Sequence, residues 1–144
     1  MRAQDFVKRA ERCLEDARRS QYDEYAVSIE RASECIELSL KAAILSIGEK
    51  YPLQHDTSED LLRLRDKFSG EFKENIPLFA FWSRITTTLY LYTKYGYEHA
   101  DAPAKILFDV NDAKTWVMHA EKVFSAGRKY VEEQSSKDDG FSHH

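Results

Sequence analysis

The chain has 144 residues, of which 42% are hydrophobic and 32% charged, with a net charge of −4. These totals describe one domain with room for a single sizeable core. No stretch approaches the ~20 apolar residues of a bilayer span, and the opening MRAQDFVKRAER is too charged for a secretory leader, so a cytoplasmic protein without membrane contact is expected. The acidic balance argues against a broad nucleic-acid-binding surface. Much of that charge sits after Val131, where EEQSSKDDGFSHH has four acids against one lysine, a net −3 that leaves the body near −1.

The first predicted helix runs from about Ala3 to Arg19, with a stripe of Phe6, Ala10, Cys13, Leu14 and Ala17. Its basic residues, Arg2, Lys8, Arg9, Arg12, Arg18 and Arg19, read as a solvated face or a local basic patch. A short polar link, Ser20–Asp23, forces an antiparallel turn. The second helix is the dominant feature, read over Tyr22–Tyr51 with apolar or small residues at Tyr25, Ile29, Ala32, Ile36, Leu40, Ala43 and Ile47. Pro52 disfavours helix before it and sets the expected end, and Lys41 falls on the charged side. Cys13 and Cys35 lie on helical faces, match no zinc spacing and read as small buried hydrophobes.

His55-Asp56-Thr57-Ser58 is a cap-rich loop. Thr57 with Asp60 resembles a capping box opening a short third helix that carries Leu61, Leu62 and Leu64. Phe68–Asn75 reads as a connector broken at Gly70, and Pro77 as the first turn of a fourth helix, Leu78 to Tyr95. That helix is apolar over a wide arc, so it is either central in its own core or shared with a second subunit. Gly96 is placed to end it. After a loop containing Pro103, Asp109 or Asn111 caps a last helix to about Val131, with Ala113, Val117, Ala120, Phe124, Gly127 and Val131 as its stripe. Domain boundaries are therefore expected at 1–131 for the bundle and 132–144 for an acidic, disordered tail.

No phosphate-binding loop, dinucleotide loop, nucleophile elbow or metal-binding helix motif occurs in the sequence. The chemistry-bearing segment that remains is YTKYGYEH at the end of the fourth helix.

The order of elements carries a resemblance. It comprises a short helix, a long helix reading YAVSIERASECIELSLKAAIL, an HD loop before a short Leu-rich helix, an aromatic helix ending in KYG, and a last helix in FDVNDAKTWVMHAEKVF. Over about residues 3–131 this resembles a HEPN domain, of the small stand-alone prokaryotic type. The resemblance implies an all-α, antiparallel up-down bundle of four to five helices, usually a symmetric homodimer. Many members are metal-independent RNases, often toxins, and others are binding or assembly modules. Small members often pair with a nucleotidyltransferase-type partner protein.

Active members carry an Arg, four to six residues and a His near the end of this helix. The Arg holds the scissile phosphate, and the His moves protons during attack by the 2′-hydroxyl. Here the matching stretch is Lys94 to His99, with Lys in place of Arg. Lys lacks the planar fork of Arg, so the exchange is not neutral at a phosphate. The alternative for Lys94 is a helix-end charge favoured by the dipole.

Lys94 and His99 are thus the candidate catalytic pair, and Lys94, Tyr95, Tyr97 and His99 the candidate nucleotide-binding set, the tyrosines offering stacking surfaces. No metal site and no cofactor are expected. His55 with Asp56 reads as structural, one of the two satisfying nearby backbone amides. The expected function is a nucleotide- or RNA-binding module without strong nuclease activity. The alternative is a metal-independent RNase toxin of a toxin–antitoxin pair.

Overall fold

The computed structural model describes residues 2–96 and 102–142. Among them every regular element is helical: α1 (Ala3–Ser20), α2 (Tyr25–Ser46), α3 (Ser58–Arg63) followed by a 3-10 turn at Arg65–Lys67, α4 (Gly70–Tyr95), α5 (Ala104–Leu107) and α6 (Val110–Ser142). The protein is an all-α helical bundle.

The helix directions follow from which residues meet. Ser28 Oγ donates to Ala17 O at 2.7 Å and Cys13 Sγ lies 3.5 Å from Glu34 Oε2, so α2 runs back along α1. Trp82 meets His119 and Phe72 meets Tyr130, so α4 and α6 are antiparallel. Cys35 Sγ lies 4.0 Å from Ala120 O, while a Cβ on Gly127 would sit 3.1 Å from Ser39 O, so α2 and α6 run in the same direction. The result is up-down-up-down, with α2 at the centre and its Ile29, Ala32, Ile36, Leu40 and Ile44 fully buried. The small residue at 127 lets the backbones of α2 and α6 approach closely.

Several boundaries differ from those expected of the sequence. The second helix is shorter at both ends, running only from Tyr25 to Ser46. It stops before Pro52 can act, because Gly48 takes φ +80. Gly48 N–H donates to Leu45 O at 3.0 Å and Glu49 N–H to Ile44 O at 3.3 Å. These are the paired bonds of a glycine-terminated helix.

The fourth helix is longer than expected and begins at Gly70, so Pro77 lies inside it rather than at its first turn. Proline deprives a helix of one internal hydrogen bond, and the exposed Pro77 is tolerated on the outer face. Phe72 and Ile76, in the segment read as a connector, are buried, and the ring of Phe72 lies 5.1 Å from Tyr130. That packing outweighs the local breakers.

Thr57 makes no side-chain cap. Its hydroxyl instead meets Ser83 Oγ at 2.9 Å, and Asp56 Oδ1 accepts from Ser58 N–H at 2.9 Å. Asp109 does cap the last helix, in a reciprocal pair with Asp112 at 3.0 and 2.9 Å. That helix continues past Val131 to Ser142. Glu132, Glu133, Gln134 and Lys137 are good helix formers and no proline interrupts them.

Candidate functional site

A cavity of about 180 Å³ opens between α1, α2, α4 and the loop before α3. The helical period puts Glu30, Glu34, Glu37 and Lys41 of α2 on one side of that helix, beside the apolar stripe. Ser33, Glu34 and Glu37 reach the cavity from there, Thr86, Thr87 and Tyr90 from α4, Arg9 from α1, and His55 from the loop.

Glu37 organises the wall. Its Oε1 lies 2.7 Å from His55 Nδ1 and its Oε2 lies 2.8 Å from Lys41 Nζ. The carboxylate accepts both bonds, so the imidazole proton is on Nδ1, and Nε2 of a neutral ring remains an acceptor. His55 also stacks on Tyr90, with centroids 5.3 Å apart. Lys41, expected on the charged side of its helix, is only 5% exposed and lies 5.8 Å from the Tyr51 ring centre. Its long side chain buries its stem and ends on Glu37.

Glu34 is held by Arg31 at 3.2 and 3.3 Å and lies 3.5 Å from the Cys13 thiol. Burial, with the Glu34 charge beside it, pushes the Cys13 thiol up to about 12. Burial does the same for Cys35, also to about 12. Neither is a ready nucleophile at neutral pH.

Of the four residues predicted from sequence, Lys94 and Tyr95 are placed. Lys94 Nζ lies over the Tyr90 ring at 5.2 Å from its centre and 3.8 Å from Glu30 Oε1. Its pKa is raised by the hydrogen bond with Tyr90 and then by the charge of Glu30, so it stays a cation across the working pH range. Tyr90 therefore links Lys94 to the cavity one helical turn earlier. Tyr95 is 66% exposed. Tyr97 and His99 lie outside the described residues. Elsewhere on α4, Trp82 is buried, and Tyr90 and Tyr92 are half-buried.

The expectation for His55 and Asp56 divides between the two side chains. The Asp56 carboxylate does satisfy a backbone amide, while His55 faces Glu37 and the cavity. The cavity itself escaped sequence reasoning. The acidic row Glu30, Glu34 and Glu37 was visible as a helical spacing, but its meeting with His55 and Tyr90 is tertiary and has no local signature.

Among the described residues no group of three or more His, Cys, Asp or Glu side chains is placed to hold a metal ion. Nor is any helix among them long and apolar enough to cross a membrane. A family model described as HEPN domain matches residues 3–130. No curated protein and no solved structure matches the chain.

Proposed function

The chain belongs to the HEPN domain family, and from that premise we propose that it is a cytoplasmic nucleotide- or RNA-binding module without strong nuclease activity. The observation that carries this reading is the continuity from Lys94 through Tyr90 to His55, the last two lining the cavity together with exposed Arg9. A cation beside an aromatic ring is the arrangement that meets a phosphate next to a base. Lys94 is a single point charge already shared with Glu30 at 3.8 Å. It supplies attraction to a phosphate, but not the two-pronged grip that a scissile phosphate takes from Arg.

The outer face of α4 supports assembly as a two-fold homodimer. Phe81, Leu91 and Tyr95, at helical spacing, are 58, 58 and 66% exposed. Exposed apolar side chains of this size along one face suit a self-complementary contact. The same face would serve a nucleotidyltransferase-type partner protein.

The test is equilibrium binding of nucleoside monophosphates and a short single-stranded RNA, with the RNA examined for cleavage in the same samples. Binding with intact RNA is expected. No binding of any nucleotide or RNA would overturn the reading.

A further inference from the structure

The polar groups lining the cavity are unequal in kind. Ser33 Oγ already donates to Ile29 O at 2.8 Å, Thr86 Oγ1 to Ser83 O at 2.8 Å, and Thr87 Oγ1 to Ser83 O at 3.1 Å. Each hydroxyl has committed its one proton, so only lone pairs remain to face the cavity. Glu34 and Glu37 are acceptors with capacity beyond their existing partners, since a carboxylate offers about four lone-pair positions. His55 Nδ1 is committed to Glu37, which leaves Nε2 of a neutral ring as a further acceptor. The exceptions are the Tyr90 hydroxyl, which carries a proton to donate, and Arg9, which is exposed and lies over Phe6 at 5.7 Å from the ring centre. The walls are acceptors in the majority, with the Tyr90 hydroxyl as a donor among them and a guanidinium at the solvent side.

Size narrows the occupant further. The cavity encloses about 180 Å³. Clefts for drug-sized ligands begin at roughly 300 Å³. It therefore takes one ring system, with the remainder of a larger ligand outside.

We propose that this cavity reads the base of the bound nucleotide and selects guanine, whose N1–H and N2 amino group present two adjacent donors to a carboxylate and the hydroxyl oxygens. The proposal rests on the nucleotide-binding reading above and adds base specificity to it. Uracil offers a single ring N–H and two carbonyl oxygens, which face the acceptors of the wall unfavourably. Adenine and cytosine each offer one amino group. The phosphate remains at the mouth, toward Arg9 and Lys94. An anionic group alone is disfavoured inside, because unpaired acceptors facing each other in a confined space are costly.

The experiment is a set of calorimetric titrations of the full chain with the 5′-monophosphates of guanosine, inosine, adenosine, cytidine and uridine, and with methylguanidine. Guanosine monophosphate should bind about tenfold or more tighter than uridine monophosphate, the size of discrimination one good paired contact to a base gives. Inosine monophosphate, which lacks only the amino group, should fall between them. Thr87→Val keeps the shape and deletes an acceptor, so it should narrow the guanosine-to-uridine ratio. Glu37→Gln, its fold checked by circular dichroism, should narrow it further. Equal affinity for all five nucleotides, or a uridine preference, would overturn the base-reading proposal while leaving nucleotide binding intact. Methylguanidine binding as tightly as guanosine monophosphate would also overturn it, because the cavity would then be a guanidinium site. Binding of none of the five would instead remove the reading on which the proposal rests, and the proposal with it.

Discussion

Lys41 Nζ sits 2.8 Å from Glu37 Oε2 within the bundle, and the other oxygen of that carboxylate holds His55. One ion pair on α2 thus fixes both a buried charge and a wall of the cavity. The Lys41 side chain is 7% exposed and that of Glu37 19%. Removing either partner leaves the other charge largely out of water. Lys41→Ala should destabilise the fold by about 2–4 kcal/mol, near the lower part of the range for broken buried pairs. Lys41→Met combined with Glu37→Leu should recover much of that loss. Chemical denaturation of the three forms measures both effects, and a neutral Lys41→Ala would place Lys41 on the surface.

Ile36 and Leu40, one turn apart on the same helix, are fully buried. Truncating either to Ala should cost about 2–5 kcal/mol, from lost burial and the cavity left behind. The same denaturation experiments give the values.

His119 stacks on Trp82 with ring centres 4.0 Å apart and meets Trp116 edge-on at 5.0 Å. Burial, and then the charge of Lys122, lowers its pKa below the ordinary 6.5. A histidine with a lowered pKa in the folded state is protonated more readily when unfolded. Its contribution is therefore fully present above pH 6.5 and is lost as pH falls through 6.5 toward the folded-state value. Thermal stability should drop over that window, and His119→Phe should reduce the drop. Tryptophan fluorescence of the native protein should titrate with a midpoint below 6.5, and this transition should vanish in His119→Phe.

The outer face of α4, with Phe81, Leu91 and Tyr95 exposed, should hold two copies together. Analytical ultracentrifugation at micromolar concentration should report about twice 16.8 kDa. Phe81→Glu with Leu91→Glu should shift the species to the monomer without loss of helicity. A wild-type monomer would leave this face for a different partner.

The architecture was legible in the sequence because it rests on periodicity. The stripe Tyr25, Ile29, Ala32, Ile36, Leu40, Ala43 and Ile47 identified the central helix; the five middle residues are buried, while Tyr25 and Ile47, at and just past its ends, are half-buried. Helix ends were less legible, because tertiary packing competes with local signals there. Gly48 stops α2 before Pro52, whereas Phe72 and Ile76 carry α4 back across Pro77 to Gly70. Lys41 was misplaced because its charge marks a surface position in sequence, and the carboxylate that neutralises it lies on the same helix four residues earlier. For the candidate site, the sequence placed Lys94 at the end of α4. It did not reveal that Tyr90 joins Lys94 to His55, since residues 55 and 90 meet only through the packing of α3 and its loop on α4.

Recognition of a nucleotide or RNA at the end of α4, without cleavage, is the role proposed for the protein. Its most direct test is the affinity of a labelled single-stranded RNA for the wild type and for Lys94→Ala, at low and high salt, with the RNA recovered and sized after each measurement. The expected result is intact RNA throughout, weaker binding by Lys94→Ala, and a shallower salt dependence in that variant as one phosphate contact is lost. Efficient RNA cleavage by the wild type, insensitive to chelators, abolished in His99→Ala and raised in Lys94→Arg, would contradict it and establish a nuclease.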